Sequence, residues 1–229
     1  MAFTKTQAPA GLKARLKTSY DAIAEMYNKW TEDHHAVRLK YLGEFKSRLR
    51  TTPPVRILEL GCGAGVPATR VLAGIPGAEV VANDLSTRQI ALARENAEAW
   101  AGGRSVRFVE GDMMDPSVLD FPAGSLDGVV AFYSLIHLPR DEQSEMLARI
   151  ARWLRPGGVL LANFSADETE GVIMEAWLHE QGWMFWSGWG EGTVGRVEGE
   201  GMRVLVKELE GEGVDVEFLW VVAEKKGGE

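Results

Sequence analysis

The sequence is short of residues that several classes of protein need. Cys62 is the only cysteine, which excludes an intramolecular disulfide and is typical of a reducing compartment. No uncharged apolar stretch is long enough to span a membrane, and residues 1–11 lack the apolar centre of a secretory signal. We therefore expect a cytoplasmic protein.

Positive charge is also scarce. The formal net charge is −8, which argues against nucleic acid as the main partner because phosphate binding needs a basic surface. Residues 1–50 nevertheless carry ten Lys or Arg against five Asp or Glu. This segment either docks on an acidic body or has solvated helix faces. Of the four histidines, His34 and His35 are adjacent and point in different directions, and we expect no metal site.

Length and periodicity favour one α/β domain. A chain of 229 residues with 45% hydrophobic content can bury a sizeable core. Apolar strands are predicted at 55–60, 78–82, 106–109, 126–132 and 159–164, and helical patterns lie between them. This alternation predicts a doubly wound parallel sheet with helices on both faces.

The segments outside this alternation have their own patterns. Apolar spacing predicts N-terminal helices over Leu12–Trp30 and Val37–Leu49, and later helices over Gly171–Gln181 and Thr193–Glu200. Asp141 is predicted to cap a helix. The chain closes with a predicted antiparallel hairpin, Met202–Leu209 and Val214–Ala223, around the turn GEG.

The stretch VRILELGCGAGVPATRVL, residues 55–72, joins an apolar strand, a glycine turn and a helix. Gly61, Gly63 and Gly65 permit backbone angles closed to other residues, and amides at the helix start face any ligand over the turn. Such turns also occur in doubly wound folds that bind no cofactor. The glycine spacing is too short for a pyrophosphate, and Glu59 adds a carboxylate to the strand. Both details favour a nucleoside-type ligand with a charged amino-acid end.

Acidic residues follow two further strands. Asp84 ends the second strand about twenty residues after the glycines, where it can accept hydrogen bonds from ribose hydroxyls. Ser86 is predicted to cap the following helix. Asp112 ends the third strand, where it can accept from an adenine amino group while Met113 packs on the base. The sequence thus predicts a nucleoside pocket at one edge of the sheet.

Aromatic residues are dense in two places. Tyr20, Tyr27 and Trp30 either fasten the first helix to the core or form the lid of a pocket, and spacing does not decide between them. The stretch GWMFWSGWG, residues 182–190, includes Trp186 and predicts either a pocket wall or a contact with a partner. Tyr133, just beyond the fourth strand, is a further candidate for the pocket wall.

Five segments stand in an order typical of one enzyme family: ILELGCGAG, ANDLS, VEGDMMD, LDGVVAFYSLIHL and LRPGGVLLANFS. Together they resemble the class I S-adenosylmethionine-dependent methyltransferases, and YDAIAEMY resembles the lid helix of their small-molecule (type 11/25-like) branch. The resemblance implies a Rossmann-like seven-stranded sheet in the order 3-2-1-4-5-7-6, with the last strand antiparallel. It also implies an N-terminal helical lid over residues 1–50 and a methyltransferase domain over residues 51–229.

The resemblance implies that S-adenosylmethionine is the cofactor and assigns its contacts. Asp84 would hold the ribose hydroxyls, Leu85 would pack by the adenine, and Asp112 and Met113 would recognise the adenine. Gly61, Gly63 and Gly65 would border the methionine part of the cofactor. The main chain at Phe132 would meet the amino-acid end, and Tyr27 would reach the carboxylate of that end.

The acceptor is constrained by motifs that are missing. FYSLIHL stands where nucleic-acid amino-methylating enzymes have an Asn or Asp-Pro-Pro-aromatic turn. The sequence pattern also lacks the paired glutamates of arginine methyltransferases. It lacks the metal-ligand spacing of a catechol-type magnesium site as well. A small organic acceptor, methylated on O, N or S, remains. His137 is the candidate general base because its ordinary pKa lies near neutrality, and the competing interpretation is a histidine that only closes a turn. Tyr20, Trp30, Tyr133 and Trp186 are the candidate acceptor-pocket residues.

Two other functions remain open at this point. The fold can bind the cofactor without methylating, as a cyclase-like enzyme or an inactive partner subunit would. The glycine turn can also serve a nicotinamide dinucleotide in an oxidoreductase, although its spacing and the DMM segment count against that. The pattern does not distinguish a monomer from a homodimer.

Overall fold

The computed structural model describes residues 4–50, 52–100, 103–211 and 217–227. In chain order the strands are β1 (Thr4–Lys5), β2 (Val55–Leu60), β3 (Ala78–Asp84), β4 (Val106–Glu110), β5 (Leu126–Ala131), β6 (Leu154–Ser165), β7 (Glu168–Glu175), β8 (Trp183–Trp189), β9 (Met202–Gly211) and β10 (Glu217–Lys225). The α-helices are α1 (Leu12–Trp30), α2 (His35–Arg48), α3 (Ala68–Ala73), α4 (Thr87–Ala97), α5 (Arg140–Trp153) and α6 (Gly192–Gly199).

Seven strands form the main sheet, in the order β4-β3-β2-β5-β6-β10-β9. The first five are parallel, and β10 runs antiparallel to both β6 and β9. When the seven strands of this sheet are renumbered 1 to 7 in chain order, the sheet order is 3-2-1-4-5-7-6 and strand 7 is antiparallel, as predicted. The prediction of a Rossmann-like doubly wound fold is confirmed.

The sheet buries alternate residues on its two faces. Leu58 and Leu60 of β2 pack into the cluster that holds the apolar face of α5, whereas Ile57 packs into the cluster that holds α2. Helix α2 comes very close to the sheet at Gly128 of β5. A Cβ atom there would lie 2.4 Å from the Phe45 ring, so this position admits only glycine without a shift of the ring.

The prediction of a helix over Gly171–Gln181 is wrong. This segment contains most of β7, which pairs antiparallel with β8, and β1 adds a third strand on the other side. Val172 lies opposite Trp186 and Ile173 opposite Phe185. These β-branched and aromatic cross-strand pairs stabilise a sheet, and they depend on a partner that local helical spacing does not reveal.

The other boundaries differ in detail from the predictions. Helices α1, α2 and α6 are where the spacing places them, and Ser86 caps α4 by accepting from the Gln89 amide. Asp141 lies in the first turn of α5 and does not cap it, because the helix begins one residue earlier. The turn GEG and the predicted strand start at Val214 fall largely in 212–216, outside the described residues.

The described part of the chain contains neither a membrane-spanning helix nor a cluster of metal-binding side chains. No helix there is both long and apolar enough to cross a membrane. Within the same residues, no group of three or more His, Cys, Asp or Glu side chains is placed to hold a metal ion.

A buried carboxylate fastens the amino ends of three strands. Asp127 is 2% exposed and accepts from the Arg56 amide at 2.8 Å. Its other oxygen forms an ion pair with Arg50 Nε at 2.6 Å and accepts a hydrogen bond from Arg155 Nε at 2.5 Å. Two cations and one amide therefore compensate for the burial of one charge.

Replacing this carboxylate by its isosteric amide tests that arrangement. Asp127→Asn leaves two arginines without their anion, so we expect the free energy of unfolding to fall by about 2 kcal/mol. Urea denaturation followed by circular dichroism measures the change. Asp120→Asn, at an exposed ion pair with Arg152, is the matched control and should change stability little. Equal effects of the two substitutions would contradict the account.

Candidate functional site

Two adjoining cavities lie at the carboxyl ends of β2, β3, β4 and β5. The larger has a volume of about 660 Å³ and the smaller about 370 Å³. Five residues line both cavities: Tyr27, Gly61, Gly63, Phe132 and Tyr133. This edge is where open parallel sheets bind ligands, because loops and helix amino ends converge there.

The larger cavity brings together eleven of the residues singled out in the sequence: Tyr20, Tyr27, Gly61, Gly63, Asp84, Leu85, Asp112, Met113, Phe132, Tyr133 and His137. Among the residues that the structure describes, three candidates line neither cavity. Gly65 faces the Trp100 ring, Trp30 is 45% exposed on the outer side of α1, and Trp186 packs among the apolar residues between α1 and β8.

The glycine turn has one open position. Gly61, Gly63 and Gly65 all have positive φ, a backbone conformation that glycine adopts more readily than other residues. A Cβ on Gly61 would meet Ser134 at 2.4 Å, so this glycine is needed for packing. At Gly63 the nearest atom would be Gln89 Oε1 at 3.8 Å. Gly63 therefore lets a ligand lie directly against the main chain.

Asp84 joins the glycine turn to the start of α4. One carboxylate oxygen accepts from the Gly63 amide at 2.8 Å and the other from the Ser86 amide at 2.9 Å. Burial raises the pKa of Asp84 to about 6, against these two hydrogen bonds, which lower it. Each oxygen keeps a lone pair, so the carboxylate can still accept from a pair of adjacent hydroxyls.

The smaller cavity contains a carboxyl group and a guanidinium. Glu59 is buried and accepts from Thr69 Oγ1 at 2.6 Å, and burial raises the pKa of Glu59 to about 8. Arg38 of α2 is buried with its guanidinium 4.7 Å above the Tyr133 ring, and its Nε has no partner among the described residues. One acid and one cation with unused donors suit the two ends of an amino acid.

Sequence reasoning missed Arg38, although a signal was there. Arg38, Tyr41, Leu42 and Phe45 share one face of α2, and all four are buried. A cation on an otherwise apolar stripe needs a partner, and the cavity supplies the place for one. Helical spacing alone did not show that this face meets the end of β2.

His137 and Tyr20 form a hydrogen-bonded pair on the wall of the larger cavity. His137 Nδ1 lies 2.7 Å from the Phe185 carbonyl oxygen, and Nε2 lies 2.9 Å from the Tyr20 hydroxyl. A carbonyl only accepts, so Nδ1 carries the proton and Tyr20 donates to Nε2. Burial lowers the pKa of His137 to about 4 and raises that of Tyr20. Both groups are therefore uncharged at neutral pH.

Helix α1 covers the cavities and is held by polar contacts. Asp21 accepts from Ser86 Oγ at 2.6 Å and from the Arg88 amide at 3.0 Å, both at the start of α4. Lys13 pairs with Asp112 at 3.4 Å and Glu142 at 2.5 Å.

The aromatic residues of α1 divide into two groups. Tyr20 and Tyr27 face the cavity, and both also contact the Trp177 ring in the turn between β7 and β8. Trp30 contacts Trp177 from outside, with ring centroids 5.6 Å apart. The tyrosines therefore both line the cavity and fasten the helix.

Comparison with known proteins agrees with this geometry. Residues 57–158 match a family model described as a methyltransferase domain. The demethylmenaquinone methyltransferase of Thermus thermophilus is 38% identical over 108 residues, which are 47% of this chain and 46% of that protein. The chain spans about half or less of the length of the curated relatives it matches.

Two solved structures share the fold over almost the whole chain. Magnesium protoporphyrin IX methyltransferase from Synechocystis, with bound S-adenosylmethionine, has a TM-score of 0.71 at 16% identity and covers 96% of this chain and 100% of its own. The [4+2]-cyclase SpnF has a TM-score of 0.72 at 20% identity and covers 98% and 99%.

S-adenosylmethionine is the cofactor of this family, and the site fits it. The unpartnered Nε of Arg38 lies at the end suited to a carboxylate, Gly63 is open to the cavity, and Asp84 keeps acceptor capacity for a ribose. The matched domain, the strand order and the cavity agree. The chain therefore resembles the class I S-adenosylmethionine-dependent methyltransferases, and residues 57–158 are the part that matches a methyltransferase domain.

Proposed function

We propose that this protein transfers the methyl group of S-adenosylmethionine to an O, N or S atom of a small organic acceptor, and that it does so in the cytoplasm. The observation that carries the proposal is the pair of adjoining cavities. Arg38 and Glu59 lie in the smaller cavity, Asp84 lies by the glycine turn, and Tyr20 and His137 lie in the larger. The groups in the two cavities suit an amino acid joined to a nucleoside.

Each part of the cofactor has a place in this proposal. Asp84 accepts from the ribose hydroxyls, Asp112 and Met113 recognise the adenine, and Leu85 packs beside it. The methionine part lies along Gly61, Gly63 and Gly65 and meets the main chain at Phe132. Its carboxylate is held by Arg38 and Tyr27, and its ammonium by Glu59. The position of each of these groups at the cavities supports its role, except Gly65, which lines neither cavity and faces the Trp100 ring.

The protein's own contribution to the reaction is alignment and proton removal. The bound cofactor supplies a methyl group already activated by the sulfonium, so the walls need to hold the acceptor atom in line with it. Tyr20 and Tyr133 form those walls, with Trp30 and Trp186 in the layer outside them. His137 acts as the base, and the Phe185 carbonyl supports this role by fixing the imidazole tautomer with Nε2 unprotonated.

The N-terminal residues 1–50 form a lid in this proposal, and residues 51–229 form the catalytic domain. The contacts of α1 with the start of α4 support the lid, since they hold α1 beside Asp84 at the edge of the larger cavity. The lid must open for the cofactor to enter and close to exclude water from the transfer.

Isothermal titration with S-adenosylmethionine, S-adenosylhomocysteine and NADH tests the proposal. We expect S-adenosylmethionine and S-adenosylhomocysteine to bind saturably and NADH not to bind. Binding of NADH alone would contradict the proposal.

A [4+2]-cyclase has the same fold, and this similarity supports a second candidate function: a cofactor-binding protein that does not methylate. Cofactor binding without methyl transfer to any member of a broad acceptor panel would favour that candidate.

The role of Arg38 can be tested with a truncated ligand. Arg38→Met removes the cation that faces the methionine carboxylate, so we expect the Kd of S-adenosylhomocysteine to rise about tenfold or more. 5′-Methylthioadenosine lacks the amino-acid end, and its Kd should stay within about twofold. Titration of both ligands against both proteins measures the difference. An equal loss for the two ligands would show that Arg38 acts only on the fold.

Asp84 should make nucleoside binding pH-dependent. Its pKa is raised to about 6, so the carboxylate is ionised above that pH and protonated below it. Ribose hydroxyls donate more strongly to the ionised form, and the affinity for 5′-methylthioadenosine should therefore fall as pH drops below 6, by up to about tenfold per pH unit. Asp84→Asn should bind weakly at every pH, with a flat profile. A sloping profile in the variant would assign the proton to another group.

A further inference from the structure

Five residues that line the larger cavity carry no charge: Leu16, Tyr20, Tyr133, His137 and Leu138. Burial keeps the two titratable groups among them, Tyr20 and His137, neutral. A carboxylate, phosphate or ammonium placed against these side chains would lose its hydration and find no opposite charge among the five. Such a wall favours an uncharged acceptor.

The charged residues of the larger cavity are already engaged elsewhere. Lys13 is paired with Asp112 and Glu142, and both oxygens of Asp84 accept from main-chain amides. These residues also belong to the part of the site assigned to the nucleoside. None of them is therefore available to neutralise a charge on the acceptor.

The polar contact on these walls has a fixed direction. The Phe185 carbonyl accepts a hydrogen bond from His137 Nδ1–H, so Nε2 accepts a hydrogen bond from the Tyr20 hydroxyl. The Tyr27 ring also contacts the Tyr20 ring, with centroids 5.3 Å apart. Because the single proton of Tyr20 points toward His137, the hydroxyl oxygen can only accept from anything else that approaches it. A hydroxyl oxygen has two lone pairs with which to accept.

We propose that the acceptor is an uncharged, largely apolar molecule that donates an O–H to the Tyr20 hydroxyl oxygen, and that the proton leaves through Tyr20 to His137. This inference rests on the proposed methyl transfer and names the substrate class of the same site. It makes Tyr20 a catalytic residue, because it contacts the reacting hydroxyl. His137 remains the base of the proposed function, and it takes up the proton through Tyr20.

The step balances without any further reagent. The carbon–sulfur bond of the sulfonium breaks and its electron pair stays on sulfur, while the acceptor oxygen forms the new carbon–oxygen bond. The acceptor proton passes to Tyr20 as the Tyr20 proton passes to His137 Nε2, and the imidazolium later releases it to water. An oxygen that gains a methyl group becomes strongly acidic, so a weak base such as this buried imidazole suffices.

A matched set of naphthalenes tests the inference on the whole protein saturated with S-adenosylhomocysteine. Titration calorimetry at pH 7 compares 2-naphthol with 2-methoxynaphthalene, which cannot donate, with 2-naphthoate, an anion, and with 2-naphthylmethylammonium, a cation. We expect 2-naphthol to bind at least about tenfold more tightly than each of the others, the effect of one well-made buried hydrogen bond or of one avoided buried charge. Naphthoate or the ammonium binding as tightly as 2-naphthol would overturn it, as would failure of all four to bind.

Tyr20→Phe separates recognition from folding. The variant should bind S-adenosylhomocysteine as the wild type does but bind 2-naphthol no better than 2-methoxynaphthalene. Tyr41→Phe removes a buried tyrosine hydroxyl outside the cavities and should keep the wild-type preference. Preference for 2-naphthol retained in Tyr20→Phe would overturn the inference. If S-adenosylhomocysteine itself fails to bind the wild type, the proposed function falls, and this result is distinct from any outcome with the naphthalenes.

The direction of the hydrogen bonds has a separate readout. Two-bond 1H–15N correlation spectra of the histidine rings should show His137 neutral and protonated on Nδ1 at pH 6. In Tyr20→Phe the Nε2 resonance should move while the Nδ1 proton stays. Protonation on Nε2, or an imidazolium at pH 6, would reverse the donor and acceptor roles and overturn the inference.

Discussion

The hydrogen bonds from the Gly63 and Ser86 amides to Asp84 are the constraint on which the site depends. They fix the turn after β2 and the start of α4 to the end of β3, at 2.8 and 2.9 Å. The same helix start receives α1 through Asp21, which contacts Ser86 and Arg88. One buried carboxylate thereby links the glycine turn to the start of α4, on which α1 is held.

Burial explains the protonation of the whole site. The sheet, α1 and the hairpin of β7 and β8 exclude water, which raises the pKa values of Glu59 and Asp84 to about 8 and 6 and lowers that of His137 to about 4. Each of these groups is less charged than it would be in water. Near neutral pH Glu59 and His137 are thus mostly uncharged whereas Asp84 is mostly ionised. We infer that Arg38 and Glu59 act on the amino-acid end of the bound ligand.

Much of the fold follows from local pattern. The β-branched runs, the glycine turn and the strand-ending acids Asp84 and Asp112 each carry their information within a few residues, and right-handed crossovers then fix the parallel order. The hairpin of β7 and β8 was missed because its stability comes from pairs such as Ile173 with Phe185, which local spacing does not encode. Arg38 was missed for the same reason, since its importance depends on where α2 docks. Trp186 and Trp30 look like pocket residues by composition, but the hairpin and the outer face of α1 place them behind the cavity walls.

The most direct measurement is a crystal structure with S-adenosylhomocysteine bound. The account predicts both ribose hydroxyls on Asp84, the carboxylate on Arg38, and the sulfur directed toward the cavity wall that carries Tyr20 and His137. A ligand whose amino-acid end lies away from Arg38, or whose sulfur faces away from Tyr20, would contradict it.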